Sequence, residues 1–392
     1  MKAHISSLAD VTDFILDGTH GSPKRTDTGI PVLSAQNVVN GVLNYATDRF
    51  TSDEEYAAFA KRVSIKRSDV LLTIVGTIGR AAVVDHVKPA VFQRSVAILR
   101  PRAKTLDARY LYHMTQSPDF IEQARKFTKK STQAGIYLGN LKKIEIPLPP
   151  LSEQKRIAAI LDKADQQRQK RRQAIMLLDS LTQSIFLEMF ADPMSNPKGF
   201  IVRELQEIVD PDRKITYGIL MPGPDVQDGV PYVRVIDMRD GLVLVDQLRR
   251  TTSAIAKEYR RSSLRTGDLL ISIRGHVGRL AITPPQCEGA NITQDTARLA
   301  IADANPLYVS ALLSTSAAQH WMAQRTKGVA VRGINLGDLK KFPVMLPPRS
   351  EQNDFAEQVE QKLKVLQLKE AQLNSSESLF SSLQHRAFAG QL

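Results

Sequence analysis

The sequence predicts an α/β (α+β) protein in which two duplicated mixed domains are separated by two long helices forming an antiparallel coiled coil. Three observations lead there: a long ordered repeat, short strand-like runs in each copy, and two heptad segments free of glycine and proline. Gly135-Ile136-Tyr137-Leu138-Gly139-Asn140-Leu141-Lys142-Lys143 runs on to Leu148-Pro149-Pro150-Leu151-Ser152-Glu153-Gln154. Gly333-Ile334-Asn335-Leu336-Gly337-Asp338-Leu339-Lys340-Lys341 runs on to Leu346-Pro347-Pro348-Arg349-Ser350-Glu351-Gln352 without a gap. Solenoid units repeat every 20–50 residues or so, and this repeat is far longer, so it is a duplicated domain. Further matches keep the same order: Gly29-Ile30-Pro31 with Gly229-Val230-Pro231, Gly76–Arg80 with Gly275–Arg279, Gln93 with Gln294, and Tyr110 with Tyr308.

Residues 1–150 read as the first mixed domain. Val32-Leu33, Val70–Val75, Ala81–Val84 and Val96–Leu99 are apolar or β-branched runs bounded by Gly, Asp and Pro, as strands are. Helices are predicted at Ser52–Ala60 and over Ala108–Phe127, where Tyr110, Leu111, Met114 and Phe120 form a stripe. Residues 200–348 repeat the layout. Residues 151–191 form a central helix, with Ser152 placed to cap it after Pro149-Pro150. Its seam runs Ile157, Leu161, Ala164, Arg168, Arg171, Ile175, Leu178, Thr182, Ile185 and Met189, polar in the middle. Residues 349–392 give the matching C-terminal helix, with Ala356, Val359, Leu363, Leu366, Glu370, Leu373, Glu377 and Phe380 on its seam. Each helix is about 39 residues, roughly 58 Å at 1.5 Å per residue. Neither can bury its stripe alone. Antiparallel pairing brings Arg171 or Arg172 near Glu370, whereas parallel pairing leaves the arginines without a charge complement. Residues 192–199, rich in turn formers, are the linker.

Composition narrows the function. At 392 residues the chain holds two or more domains, each with its own core. No run of about 18 apolar residues exists, so no membrane span is expected. The first residues lack a signal peptide's apolar stretch, and a single cysteine, Cys287, excludes an internal disulfide or a Cys-rich zinc site. The expected location is cytoplasmic. A net charge of +12 favours polyanionic partners, nucleic acid or an acidic protein. No phosphate-binding loop, dinucleotide fingerprint or His-rich metal motif is found, so no catalytic residue and no metal site are proposed.

Candidate contact residues lie on polar, basic loops. Thr19, His20, Lys24 and Arg25 follow Asp17-Gly18, and Lys214 and Tyr217 occupy the corresponding second-half segment. Arg80 and Arg279 follow Gly-x-x-Gly turns read as tight hairpins, and Arg234 and Arg274 are further basic candidates in the second half. Lys129, Lys130, Lys327 and Arg332 sit on basic loops before the repeated block. Gln93, Arg94 and Gln294 carry groups able to make bidentate contacts with base edges in the major groove. Low aromatic content argues against a stacking platform for single strands, so duplex DNA fits better.

At Leu148–Gln154 followed by Ile157-Ala158-Ala159-Ile160-Leu161-Asp162, and again at Leu346–Gln352, the chain resembles the DNA-specificity subunit of type I restriction–modification systems. Asp17–Pro23 also resembles that family's first-domain opening; the second half lacks it. The resemblance implies two target recognition domains at opposite ends of a helical spacer, each on one half of a split asymmetric duplex site. It implies docking of two methyltransferase subunits and two restriction/translocase subunits, and no cofactor in this chain: S-adenosylmethionine, ATP and Mg would belong to the partners. The rival readings are a coiled-coil assembly scaffold with basic domains and a fused nuclease.

Overall fold

The computed structural model describes residues 4–39, 41–128, 135–328 and 332–392, and divides into two compact units. The first comprises residues 1–172 with 371–392, the second residues 173–370. The first unit is built on a four-stranded antiparallel sheet in the order Thr12–Asp17, Val96–Pro101, Val70–Thr73, Ala81–Val83. Side chains alternate across a strand, and here both faces are covered. Val70, Leu72, Ala97 and Leu99 enter one core with Tyr110 and Phe120. Leu71, Val96 and Ile98 enter another with Leu33, Phe59 and Phe92. A second sheet pairs Ile30–Leu33 antiparallel with Phe50–Thr51 and parallel with Val91–Phe92. The second unit repeats this plan with Thr216–Tyr217, Thr296–Leu299, Leu269–Ser272 and Leu280–Ile282, and with Val230–Val233 between Arg249–Thr251 and Asn291–Ile292.

Ser52 caps the helix Asp53–Arg62, its Oγ accepting from the Glu55 amide. The helix expected over Ala108–Phe127 is two, Ala108–Thr115 and Pro118–Lys126. Pro118 has no amide hydrogen to continue the first helix, and Ser117 Oγ accepts from Phe120 N to start the second. The hairpin reading of the glycine turns holds: Gly76 and Gly79 have φ of +76° and +96°, Gly275 and Gly278 +71° and +91°.

The long helices run Leu151–Phe190 and Arg349–Phe388, 40 residues each. The first begins one residue before Ser152, with Pro150 O accepting from Glu153 N and Gln154 N, so Ser152 is not its cap. The buried residue is Gln154. Its Oε1 accepts from Asp107 N at 2.9 Å, and its Nε2 donates to Thr105 O and Pro149 O at 2.8 Å. Gln352 does the same in the second unit, with Asn305 N and Pro347 O. Each glutamine satisfies backbone groups that burial would leave unpaired, and ties a long helix to its domain.

Inside the first unit the helices are antiparallel. Arg156 donates to Leu392 O, Arg168 to Glu377 at 2.8 Å, and Arg171 to Gln372 O at 2.6 Å. Arg172 also binds Glu377, so the carboxylate that meets these arginines is Glu377, one heptad beyond Glu370. Ile157, Leu161, Val359, Leu366 and Phe380 are buried, while Ile175, Leu178, Ile185, Leu363 and Leu373 are half-buried. At the end of the first helix the deepest residues are Phe186 and Phe190, not the seam's Ile185 and Met189. There the helix turns a different face to the second unit's core: Phe190 lies edge-on to Tyr308 at 5.0 Å and to Phe355 at 5.7 Å. Phe388 meets Tyr110 in the same way at 5.6 Å in the first unit.

Asp162 anchors the first helix to the domain. It accepts from buried His113 at 2.7 Å and from the Arg109 guanidinium. Burial pulls its pKa upward, but the bonds from His113 and Arg109 outweigh this and hold the carboxyl below its ordinary range. Its ionised form therefore stabilises the fold above the unfolded-state value of about 4, and that stability is lost as pH falls through the depressed folded value. Asp162→Asn is expected to cost about 2–3 kcal/mol near neutral pH, because two donors lose a charged partner. Thermal melts from pH 7 to pH 2 should show the gap from wild type closing in acid; a gap that is constant with pH would refute the assignment. Gln154→Ala is expected to cost about 2 kcal/mol in chemical unfolding.

Candidate nucleic-acid interface

Two glycines place the loops that leave each main sheet. A Cβ on Gly18 would lie 2.1 Å from Phe92 O, and one on Gly218 would lie 1.8 Å from Ile292 O, so no side chain fits at either position. The chain then bridges in parallel, Thr19 with Gln93 and Ile219 with Thr293. Arg94 N donates to Thr19 O at 3.0 Å, and Gln294 N to Ile219 O at 2.9 Å. These bonds correct the repeat's alignment: Gln93 corresponds to Thr293, and Arg94 to Gln294. They also supply counterparts that the letters concealed, Ile219 for Thr19 and Leu220 for His20.

In the first unit this end of the sheet gathers Thr19, His20, Gln93 and exposed Arg94, beside the bridge between Val75 and Gly135. His20 is exposed and 3.2 Å from Asp17 Oδ2. Lys24 and Arg25 lie further along the loop, where Lys24 O accepts from Thr51 Oγ1 and Arg25 donates to Asp48 O at 3.2 Å. Lys129 and Lys130 lie outside the described residues. In the second unit Arg274, Gln294, Lys327 and Arg332 come together: Arg274 Nη1 reaches Gln294 Oε1 at 3.5 Å, Gly275 N donates to Arg332 O, and Lys327 bridges Gly333. Tyr217 is 46% exposed, and beside it stand Leu220 and Met221, at 47% and 80%, which the search for basic and polar groups overlooked. Their signal was only their position two and three residues after Gly218.

Four candidates are not at this surface or are already engaged. Arg234 holds Asp237 through two bonds of 2.9 and 2.7 Å and also reaches Gln247 O, and the Asp237 carboxylate raises its pKa. Arg279 Nη1 donates to Val235 O and Met238 O. Both arginines brace the turn at Val235–Asp237. Arg80 is exposed and lines a cleft of about 410 Å³ with His113, Gln116, Asp165, Arg168 and Arg172. Lys214 lies in a separate cleft with Arg213 and Arg298. Among the described residues no group of three or more His, Cys, Asp or Glu side chains is placed to hold a metal ion.

The arrangement is two similar scaffolds whose described residues present unlike polar, basic and apolar groups. The model of the type I restriction modification DNA specificity domain matches residues 5–175 and 197–377. The chain belongs to this family. It is 26% identical over 421 residues to the type I restriction enzyme EcoBI specificity subunit of Escherichia coli, covering 100% of this chain and 86% of that one. The EcoKI specificity subunit of Escherichia coli strain K12 is 24% identical over 432 residues, covering 99% and 89%. The crystal structure of the S subunit from M. genitalium shares the fold, with a TM-score of 0.58 at 14% identity over 98% of this chain and 96% of that one. The protein is thus a DNA-specificity subunit of a type I restriction–modification system, the non-catalytic recognition component.

The internal bonds of Arg234 separate it from Arg94. Arg234→Ala is expected to lower stability by about 1–2 kcal/mol, whereas Arg94→Ala should stay within about 0.5 kcal/mol of wild type. Urea unfolding of the two variants checks this; equal losses would contradict it.

Proposed function

We propose that each unit reads one half of a split, asymmetric duplex site through the loops that follow Gly18 and Gly218, entering the major groove. The supporting observation is that equivalent, identically hydrogen-bonded positions carry different chemistry, Arg94 in one unit and Gln294 in the other. Arginine suits guanine O6 and N7, glutamine suits adenine N6 and N7, and exposed Leu220 and Met221 suit a thymine methyl group. Lys24, Arg25, Lys129, Lys130, Lys327 and Arg332 would position the duplex through its phosphates. Residues 1–150 and 200–348 are the two target recognition domains in this reading, and 151–191 and 349–392 the spacer that sets the unread gap. The spacer would also dock two methyltransferase subunits, and two restriction/translocase subunits would complete the cutting form. S-adenosylmethionine, ATP and Mg would be bound by those partners, and methylation would fall on adenine N6. No described helix is long and apolar enough to cross a membrane, which accords with assembly on DNA in the cytoplasm.

The test is co-expression with the methyltransferase subunit and mapping of methylated adenines. A bipartite motif with a fixed gap is the expected result; a continuous motif, or none, would overturn the reading. Exchanging residues 1–150 for those of another family member should change one half-motif only. Duplex affinity should fall steeply with salt, since log K declines by about 0.9 per phosphate neutralised for each tenfold rise in salt concentration.

A further inference from the structure

The second unit carries a buried charge that the first replaces with an aliphatic side chain. In the first unit Ile98 pairs with Leu71 on the central strands and is fully buried. The matching residue, paired with Leu270, is Arg298, only 3% exposed. The first unit balances its one arginine here: Arg100 donates to both Asp69 oxygens, at 2.8 and 2.7 Å, and to Ser64 O. In the second unit Arg213 reaches that place from a loop and takes both Asp268 oxygens, at 2.8 and 2.6 Å, together with Ser263 O. Arg298 is then packed against it with no carboxylate of its own. Its guanidinium donates to Ser263 O at 3.3 Å and Lys214 O at 3.0 Å, and its buried Nε–H has no acceptor. Burial, and then the neighbouring Arg213, depress its pKa.

This pair borders a cleft of about 710 Å³. Lys214, Arg260, Arg261, Arg265 and Lys340 also line it, and among the described residues none of them forms an ion pair. The two carboxylates present are Asp212 and Glu288, and Glu288 is already engaged by Thr266 N and Oγ1. The cleft lies at the Asp268 end of the strand Leu269–Ser272, whereas Arg274 and the Gly275–Arg279 turn follow its other end. It is therefore separate from the surface that gathers Arg274, Gln294 and Lys327.

We propose that this cleft is a phosphate-binding site of the second unit, in which Arg298 and the rim cations take a phosphoryl polyanion. The phosphoryl groups come either from a phosphorylated small molecule or from the duplex backbone; the second source rests on the function proposed above, the first does not. The experiment is calorimetric titration of the full chain with inorganic tripolyphosphate at about 0.15 M ionic strength, where weak surface attraction is screened. Saturable binding of one equivalent is expected. Arg260→Ala/Arg261→Ala/Arg265→Ala should weaken it at least about tenfold with an unchanged melting temperature, since charge-assisted bonds to phosphate are lost. Arg298→Ile, the first unit's residue, should weaken it as well; if that variant fails to fold, the rim variant decides. No saturable binding, or equal binding by the rim variant, overturns the proposal. Displacement of tripolyphosphate by a duplex oligonucleotide assigns the phosphoryl groups to DNA, and simultaneous binding assigns them to a free compound. The tripolyphosphate titration uses no DNA, so its failure and a failure of the methylation test are distinguishable.

Discussion

A forty-residue amphipathic helix cannot bury its stripe alone, and the rest of this structure depends on how that constraint is met. Each unit joins the start of one long helix to the end of the other and inserts both into the core of a mixed domain. The attachment is polar as well as apolar. Gln154 and Gln352 satisfy buried backbone groups on the domain and so tie each long helix to it. Tyr110 and Tyr308 lie beneath the same junctions, their hydroxyls bonded to Pro147 O and Met345 O and their rings packed on Phe388 and Phe190.

On this shared frame the two copies have diverged where divergence is inexpensive. The backbone bonds of the residues just after Gly18 and Gly218 match, Thr19 with Phe92 and Arg94 in one unit and Ile219 with Ile292 and Gln294 in the other, while their side chains differ. Polar Thr19 and His20 stand where the second unit has Ile219 and Leu220. The ion pair beneath each central strand is kept with its arginine drawn from a different segment, Arg100 in one and Arg213 in the other. Burying a carboxylate requires a cation in place, but not one from any particular position in the chain.

Much of this was legible before the structure. The duplication, the α/β class, the two long helices and the antiparallel seam follow from matched letters and heptad spacing, because those are local periodicities that burial enforces. The break at Ser117-Pro118 was also readable in principle, since proline and a capping serine stand together. The seam was less clear at its ends: Phe186 and Phe190 replace Ile185 and Met189 because the helix there packs on a domain as well as on its partner. Of the candidate contacts, Arg94, Gln294, Arg274 and Lys327 reach one end of each sheet, but basic residue type alone did not distinguish them from Arg234 and Arg279.

The sequence by itself determined that two similar domains alternate with two long helices, and that the similar parts are the joints. Only the tertiary structure decided which residues correspond. A strand slipped by one residue keeps its letters plausible and exchanges its neighbours, so pairing Gln93 with Gln294 looked sound until hydrogen bonds set Arg94 in that place. Tertiary packing likewise decided which arginines are engaged and which are free, because many of a guanidinium's partners lie 30 or more residues away along the chain, as Asp69 does from Arg100, Asp268 from Arg213 and Val235 O from Arg279.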